Sequence, residues 1–293
     1  MKRRNFLKLA LSTIIAGQLP SHVFSQAPVC TVAVAEGTDY ASITRKVVTA
    51  LGGMRSFVKP GNTVIVKPNM AWDRKPEYAA TTHPTVIRAI VEECLGAGAR
   101  KVKVFDKTCN DSRRCYENCG IPDALKGLKN VEVRFVENDR FKKTAIRGKF
   151  LKEWALYSDS LTADVLINVP IAKHHGLTGL TLGLKNMMGI MGDSRGYIHR
   201  SIEDALCDIN SVVKSHLTII DATRILVRHG PQGGNLKDVR VLNKVIASRD
   251  IVAADAYATT LFNMKPDEIS TTVAAYKRGL GEMNLGKIKV VKA

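Results

Sequence analysis

Short runs rich in β-branched residues recur along the chain, separated by segments whose apolar residues have helical spacing. This alternation is the strongest constraint on the fold. Strands linked by helices pair side by side as a largely parallel sheet, which needs helices to cover it. The strand-like runs are residues 31–35, 63–66, 101–105, 131–136, 165–170, 217–220, 241–247 and 288–291. Asp39 can cap a helix carrying Val47, Val48 and Leu51, which Gly52-Gly53 ends. Pro84 suits the first turn of a helix continued by Val86, Ile87, Ile90, Val91 and Leu95. Further helices are expected over 201–213, 251–261 and 266–276. The expected fold class is α/β: a mostly parallel sheet with helices on both faces, a Rossmann-like three-layer architecture.

Open α/β sheets bind ligands at the carboxyl ends of their strands. The polar residues expected there are Lys67 and Asn69, Asp106, Asn168 with Lys173 to His175, and Asp221. The most informative stretch runs from Ile167 to Gly189. A buried-type strand leads into Lys173-His174-His175, then into a Gly-rich apolar run carrying Lys185-Asn186. A buried lysine needs a partner or an anion, glycines permit close approach of a ligand, and histidines move protons or bind metal. His174, His175, Lys173 and Lys185 are therefore the catalytic candidates. Lys67, Asn69, Asp106, Arg113 and Asn186 are the candidates for binding a cofactor or the anionic part of a substrate. His229, in a Gly-rich loop, is read as solvated.

A second cluster, Cys109, Cys115 and Cys119, lies just past a strand end with the spacing C-x5-C-x3-C. It is compatible with a Cys109–Cys115 disulfide, with a metal ion or iron–sulfur cluster, or with free structural thiols. No G-x-G-x-x-G after a strand, no P-loop and no G-x-S-x-G elbow is present. Neither a standard dinucleotide or P-loop site nor a hydrolase of the elbow type is therefore expected.

The first residues read as an address. Lys2-Arg3-Arg4-Asn5-Phe6-Leu7-Lys8 precede a short apolar run, Pro20, and a small residue at Ser25. The run is shorter than the ~20 residues a membrane span needs, and the layout is that of a secretory signal. Adjacent arginines followed by Phe-Leu-Lys resemble the twin-arginine export signal. The expected organisation is a signal over 1–25 and a single α/β domain over 26–293. The expected location is periplasmic or extracellular, with the twin-arginine export machinery as a partner and no stable membrane insertion after cleavage. The whole chain of 293 residues has 44 basic and 27 acidic residues, a formal charge of +17. Removing 1–25 takes away four basic residues and no acidic one, leaving +13. No long block of like charge and no nucleic-acid motif accompanies that excess. It is read as serving a small anionic molecule, and nucleic acid is excluded as the main partner.

Several of these motifs together resemble a known family. They are Lys67-Pro68-Asn69, Thr82-His83-Pro84, Asp106 with Arg113-Arg114 and Gly120-Ile121, and Lys173-His174 with Lys185-Asn186 and Gly189. They are similar to the family called domain of unknown function 362, over roughly residues 30 to 270. The resemblance implies an α/β fold and leaves the activity open. Some members carry an added ferredoxin-like iron–sulfur segment, but the C-x2-C-x2-C-x3-C-P run of such a segment does not occur here. The expectation is an exported, cofactor- or metal-dependent protein acting on or with a small anionic ligand. An enzyme of oxidoreductase or isomerase type is favoured, with redox chemistry first. The alternatives are a non-catalytic periplasmic binding or accessory protein, and an iron–sulfur or metal carrier using Cys109, Cys115 and Cys119.

Overall fold

The computed structural model describes residues 30–293, and the export-signal reading of residues 1–25 lies outside them. The strands are β1 (Thr31–Glu36), β2 (Thr63–Pro68), β3 (Lys101–Val104), β4 (Val131–Val133), β5 (Phe141–Ala145), β6 (Glu153–Tyr157), β7 (Val165–Val169), β8 (Ile171–His175), β9 (Gly179–Thr181), β10 (Leu217–Leu226), β11 (Val239–Ser248) and β12 (Lys289–Lys292). The α-helices are α1 (Tyr40–Ala50), α2 (Pro84–Gly96), α3 (Ser112–Asn118), α4 (Ile121–Leu125), α5 (Ser158–Thr162), α6 (Gly183–Asn186), α7 (Ile202–Val212), α8 (Ile251–Thr259) and α9 (Ser270–Lys277).

The main sheet has the order β12-β1-β11-β10-β7-β2-β3-β4, with β8 and β9 branching from β10. β10, β7, β2, β3 and β4 run parallel, and β11 is antiparallel to both β1 and β10. The sheet is thus mixed but mostly parallel, as expected. Helices cover both faces, and the strand alternation decides which side chain meets which layer. Val64 and Val66 pack with α1, α2 and α4 in one core, and Ile65 packs with α6, α7 and α9 in another. A third core on α8 takes Val32, Val34, Ile220 and Ile246.

The chain goes outward from β2 through β3 to β4, then returns to place β7 on the other side of β2. A crevice opens where strand order reverses in this way. Lys67 of β2 and Asn168 of β7 are register partners there. Two features differ from expectation. Residues 171–175, beyond the strand expected over 165–170, form a further strand, because β10 extends to Leu226 and offers its edge to β8. Residues 141–157 add a separate antiparallel pair, β5 with β6, which the sequence patterning does not show.

Candidate functional site

The caps and turns that follow β2, β3 and β7 bring the expected strand-end residues together. At Asp106 the chain has left β3, and the carboxylate turns back under β2. Its Oδ1 lies 2.7 Å from Lys67 Nζ, and its Oδ2 accepts from the Met70 N–H at 2.7 Å. Both side chains are essentially inaccessible to water. Lys67 Nζ also donates to the Pro68 carbonyl at 2.7 Å. Burial pulls the Lys67 amine down, and Asp106 opposes that pull. Gly189 closes over this pair. A Cβ there would lie 1.8 Å from Asp106 Oδ1 and 2.6 Å from Lys67 Nζ, so only glycine fits.

An amide network continues from the pair. Asn69 Nδ2 donates to Asn186 Oδ1 at 3.0 Å, Asn186 Nδ2 donates to Asn168 Oδ1 at 2.8 Å, and Asn168 Nδ2 donates to the Gly183 carbonyl at 2.9 Å. These asparagines are buried and mutually satisfied. They lock β2, β7 and α6 together at the crevice. Asp255 of α8 holds α6 from behind, accepting from the Gly183 and Leu184 N–H groups at 2.6 and 2.9 Å. Burial pushes its carboxyl up to about 7.

Beyond the network lies a cavity of about 530 Å3. Lys173 and Lys185 line its floor and are both buried. Lys173 Nζ donates to Asn69 Oδ1 at 3.2 Å and to the Ala80 carbonyl at 2.5 Å. The only acceptor for Lys185 Nζ among the described residues is the Met188 thioether, 3.5 Å away. Among the described residues neither amine has a carboxylate within ion-pair distance. Burial is the main reason Lys173 is pulled down to about 7 and Lys185 to about 8, with Lys67 and Lys185 adding to the effect on Lys173.

Strand alternation separates the two histidines. His175 faces the cavity with Lys173, two residues before it. His174 turns the other way and accepts from the Gly230 N–H at 3.2 Å. The Leu177 and Thr178 N–H groups donate to His175 Nδ1 at 3.1 and 3.4 Å. Burial, then the charge of Lys185, pulls this ring down to about 3. It is therefore neutral, with its proton on Nε2.

The other candidates fall outside the cavity or at its rim. Arg113 lies exposed on α3, away from the lining. Cys109 is exposed at the rim, with Arg195 Nη2 3.7 Å from its sulfur. Cys115 and Cys119 are buried in the α2–α3 core, and their thiols donate to the carbonyls of Ala71 and Tyr116. Burial raises both thiols, to about 11 and about 12. All three cysteines are free, and no group of three His, Cys, Asp or Glu among the described residues is placed to share a metal ion. Asp221 is fully buried and accepts from the His83 and Thr223 N–H groups, a turn-holding role. His229 is mostly exposed and paired with Asp238 at 2.7 Å.

Sequence reasoning misses Arg195, Thr181 and Asp255. Arg195 donates to the Lys107 and Thr108 carbonyls at 2.9 and 2.7 Å, pinning the loop after β3 to the rim. Its signal was weak, a lone arginine in a Gly-containing loop. Thr181 lines the cavity with a buried hydroxyl that has no hydrogen-bond partner among the described residues. Nothing in its Gly- and Leu-rich context marks it.

The profile of the family described as Domain of unknown function (DUF362) matches residues 64–260. That span covers the crevice from Lys67 to Asp255. The chain belongs to the DUF362 family. A relative within reach of sequence comparison is the "Thylakoid-associated protein sll1697" of Synechocystis, 29% identical over 244 residues, which are 80% of this chain and 74% of that protein. Among solved structures, the lactate racemase apoprotein of Thermoanaerobacterium thermosaccharolyticum is similar with a TM-score of 0.46 and 11% identity. The match covers 78% of this chain, which spans 56% of that structure.

Proposed function

We propose that this DUF362 chain is an exported enzyme that binds a small organic anion in the cavity at the β2–β7 crevice and moves protons on it. One observation carries the reading: two lysines are buried in the cavity wall and, among the described residues, neither has a carboxylate within ion-pair distance. An unpaired buried charge is costly, so a site that sets two such amines in one cavity wall is built for a ligand that brings the negative charge they lack. Lys67 is different, since Asp106 already neutralises it.

The residues divide the work by their chemistry. Lys173 and Lys185 exchange protons near neutral pH, where an acid–base group is most effective. Neutral His175 offers a fixed Nε2–H donor to a carbonyl or carboxylate oxygen. Thr181 offers a hydroxyl with no other engagement. The chain itself supplies charge neutralisation, orientation and proton transfer. The redox capacity expected from the sequence would come from a bound organic cofactor, for which the same cationic cavity is the place. The geometry gives no support to a shared thiolate metal site.

Calorimetry and thermal melting with succinate, phosphate and sulfate test the binding. Saturable stabilisation by at least one of these anions is expected, weakened about tenfold or more, or ~1.4 kcal/mol, in Lys185→Met. Absence of stabilisation by any of them would overturn the reading. Export is tested separately by fractionating cells that express the full chain and its Arg3→Lys/Arg4→Lys variant. The variant is expected to stay in the cytoplasm, and an unchanged location would refute the twin-arginine route.

A further inference from the structure

We infer that Lys185 is a nucleophile that forms an imine with the ketone of a 2-oxo acid bound in the cavity. The inference deepens the anion-site reading and rests on it. Three observations lead to the carbonyl acid as ligand class.

First, among the described residues Lys185 is the one buried lysine of the cavity without a strong acceptor. Lys173 spends its donors on Asn69 Oδ1 and Ala80 O, whereas Lys185 meets only a thioether. Its lone pair is free to attack once the proton is gone. An amine with its midpoint at about 8 is uncharged in about one molecule in ten at pH 7, against about one in three thousand for an ordinary lysine.

Second, the other cavity groups suit what a 2-oxo acid carries beside its ketone. Lys173, protonated once an anion sits beside it, supplies a cation for the carboxylate. His175 Nε2–H and the unpartnered Thr181 hydroxyl supply neutral donors for the ketone oxygen.

Third, α6 is anchored to hold the amine in place. Asp255 grips its first two N–H groups, and Asn210 Nδ2 donates to the Leu184 carbonyl at 3.1 Å. A clamped nucleophile loses little orientational freedom in the reaction.

The step balances without an oxidant or reductant. The Lys185 nitrogen attacks the ketone carbon, a C–N bond forms, and the carbonyl π pair moves to oxygen. The oxygen gathers two protons: one is the amine's own, relayed by Lys173, and one comes from solvent through the rim. Water leaves as the nitrogen lone pair closes the C=N bond. Amine, ketone and one proton become a protonated imine and one water.

Reductive trapping tests this on the full chain. The protein is incubated with pyruvate or 2-oxoglutarate and sodium cyanoborohydride, then read by intact mass and peptide mapping. A single adduct at Lys185 is expected, formed about a hundredfold faster than on any exposed lysine. It should vanish in Lys185→Arg, which keeps the charge, and a melting curve of that variant checks that it folds. Labelling of Lys173, labelling scattered over surface lysines, or no adduct with either acid overturns the inference. Melting shifts with succinate, which has no ketone, are recorded in parallel. A shift without an adduct removes the imine and leaves the anion site standing, and no shift with any acid removes the anion site.

Discussion

The Lys67–Asp106 pair and the Lys173–Lys185 floor are neighbouring regions built from the same residue type at the same depth. In the first, cation and anion are matched within 2.7 Å, and glycine at 189 lets the backbone seal the pair from water. In the second, two amines line a cavity with neutral amides, His175 and the unpartnered Thr181 hydroxyl, and neither amine is within ion-pair distance of Asp106 or Asp193, which also line it. The contrast teaches that burial alone does not mark a functional lysine. The matched pair organises the crevice, and the unmatched pair leaves charge over for a ligand.

The largest effect that sharpens this contrast is Lys67→Met. It strands the Asp106 carboxylate in the core and is expected to cost about 3–5 kcal/mol in urea unfolding. Adding Asp106→Asn should recover a substantial part of the loss. A cost as small as that of a surface lysine would dissolve the distinction. Gly189→Ala comes next, with about 1–3 kcal/mol lost through forced displacement of the same pair.

Lys185→Met should behave oppositely. Removing an unmatched buried amine is expected to leave stability unchanged or raise it by about 1 kcal/mol, while anion binding drops. A loss of stability comparable to Lys67→Met would mean that Lys185 has a structural partner after all. Thr181→Val should change stability by less than about 1 kcal/mol, since no hydrogen bond is lost, and weaken the anion a few-fold.

The pH dependence separates the regions without mutation. Lys173 and Lys185 hold their protons in the unfolded chain up to about 10.5 but release them in the folded chain at about 7 and about 8. Between those limits unfolding takes up protons, so these two groups make stability rise with pH from about 7 toward 10.5. Saturating succinate should flatten that rise, because a bound anion favours the charged amines. Urea midpoints at several pH values, with and without succinate, check both statements.

Much of this arrangement is legible in the sequence. β-branched runs ending in Lys67, Asp106 and Asn168 pointed to one sheet edge, because parallel strands share the direction of their carboxyl ends. The register of β7 on β2 then made Lys67 and Asn168 neighbours. What the sequence left open depended on side-chain direction and on long-range partners. The sequence makes His174 and His175 equal candidates, and the strand they form sends them to opposite sides. Lys67 and Lys185 look equivalent in composition, and only the placement of Asp106 tells them apart. Asp255 lies about seventy residues from the turn it grips, a pairing no local pattern reveals. The C-x5-C-x3-C cluster leaves a disulfide, a metal site and free thiols open, whereas in the structure α3 buries two free thiols in an apolar core and leaves Cys109 at the rim.

The central claim is that the cavity takes an anion because two of its lysines lack carboxylates. Proton uptake on binding measures this directly. Succinate binding is followed by calorimetry at pH 8 in buffers of different ionisation enthalpy. The account predicts that the protein takes up protons as the anion binds, and that the uptake falls in Lys185→Met and again in Lys173→Met/Lys185→Met. Binding with no proton uptake, or with uptake that survives both substitutions, would contradict it.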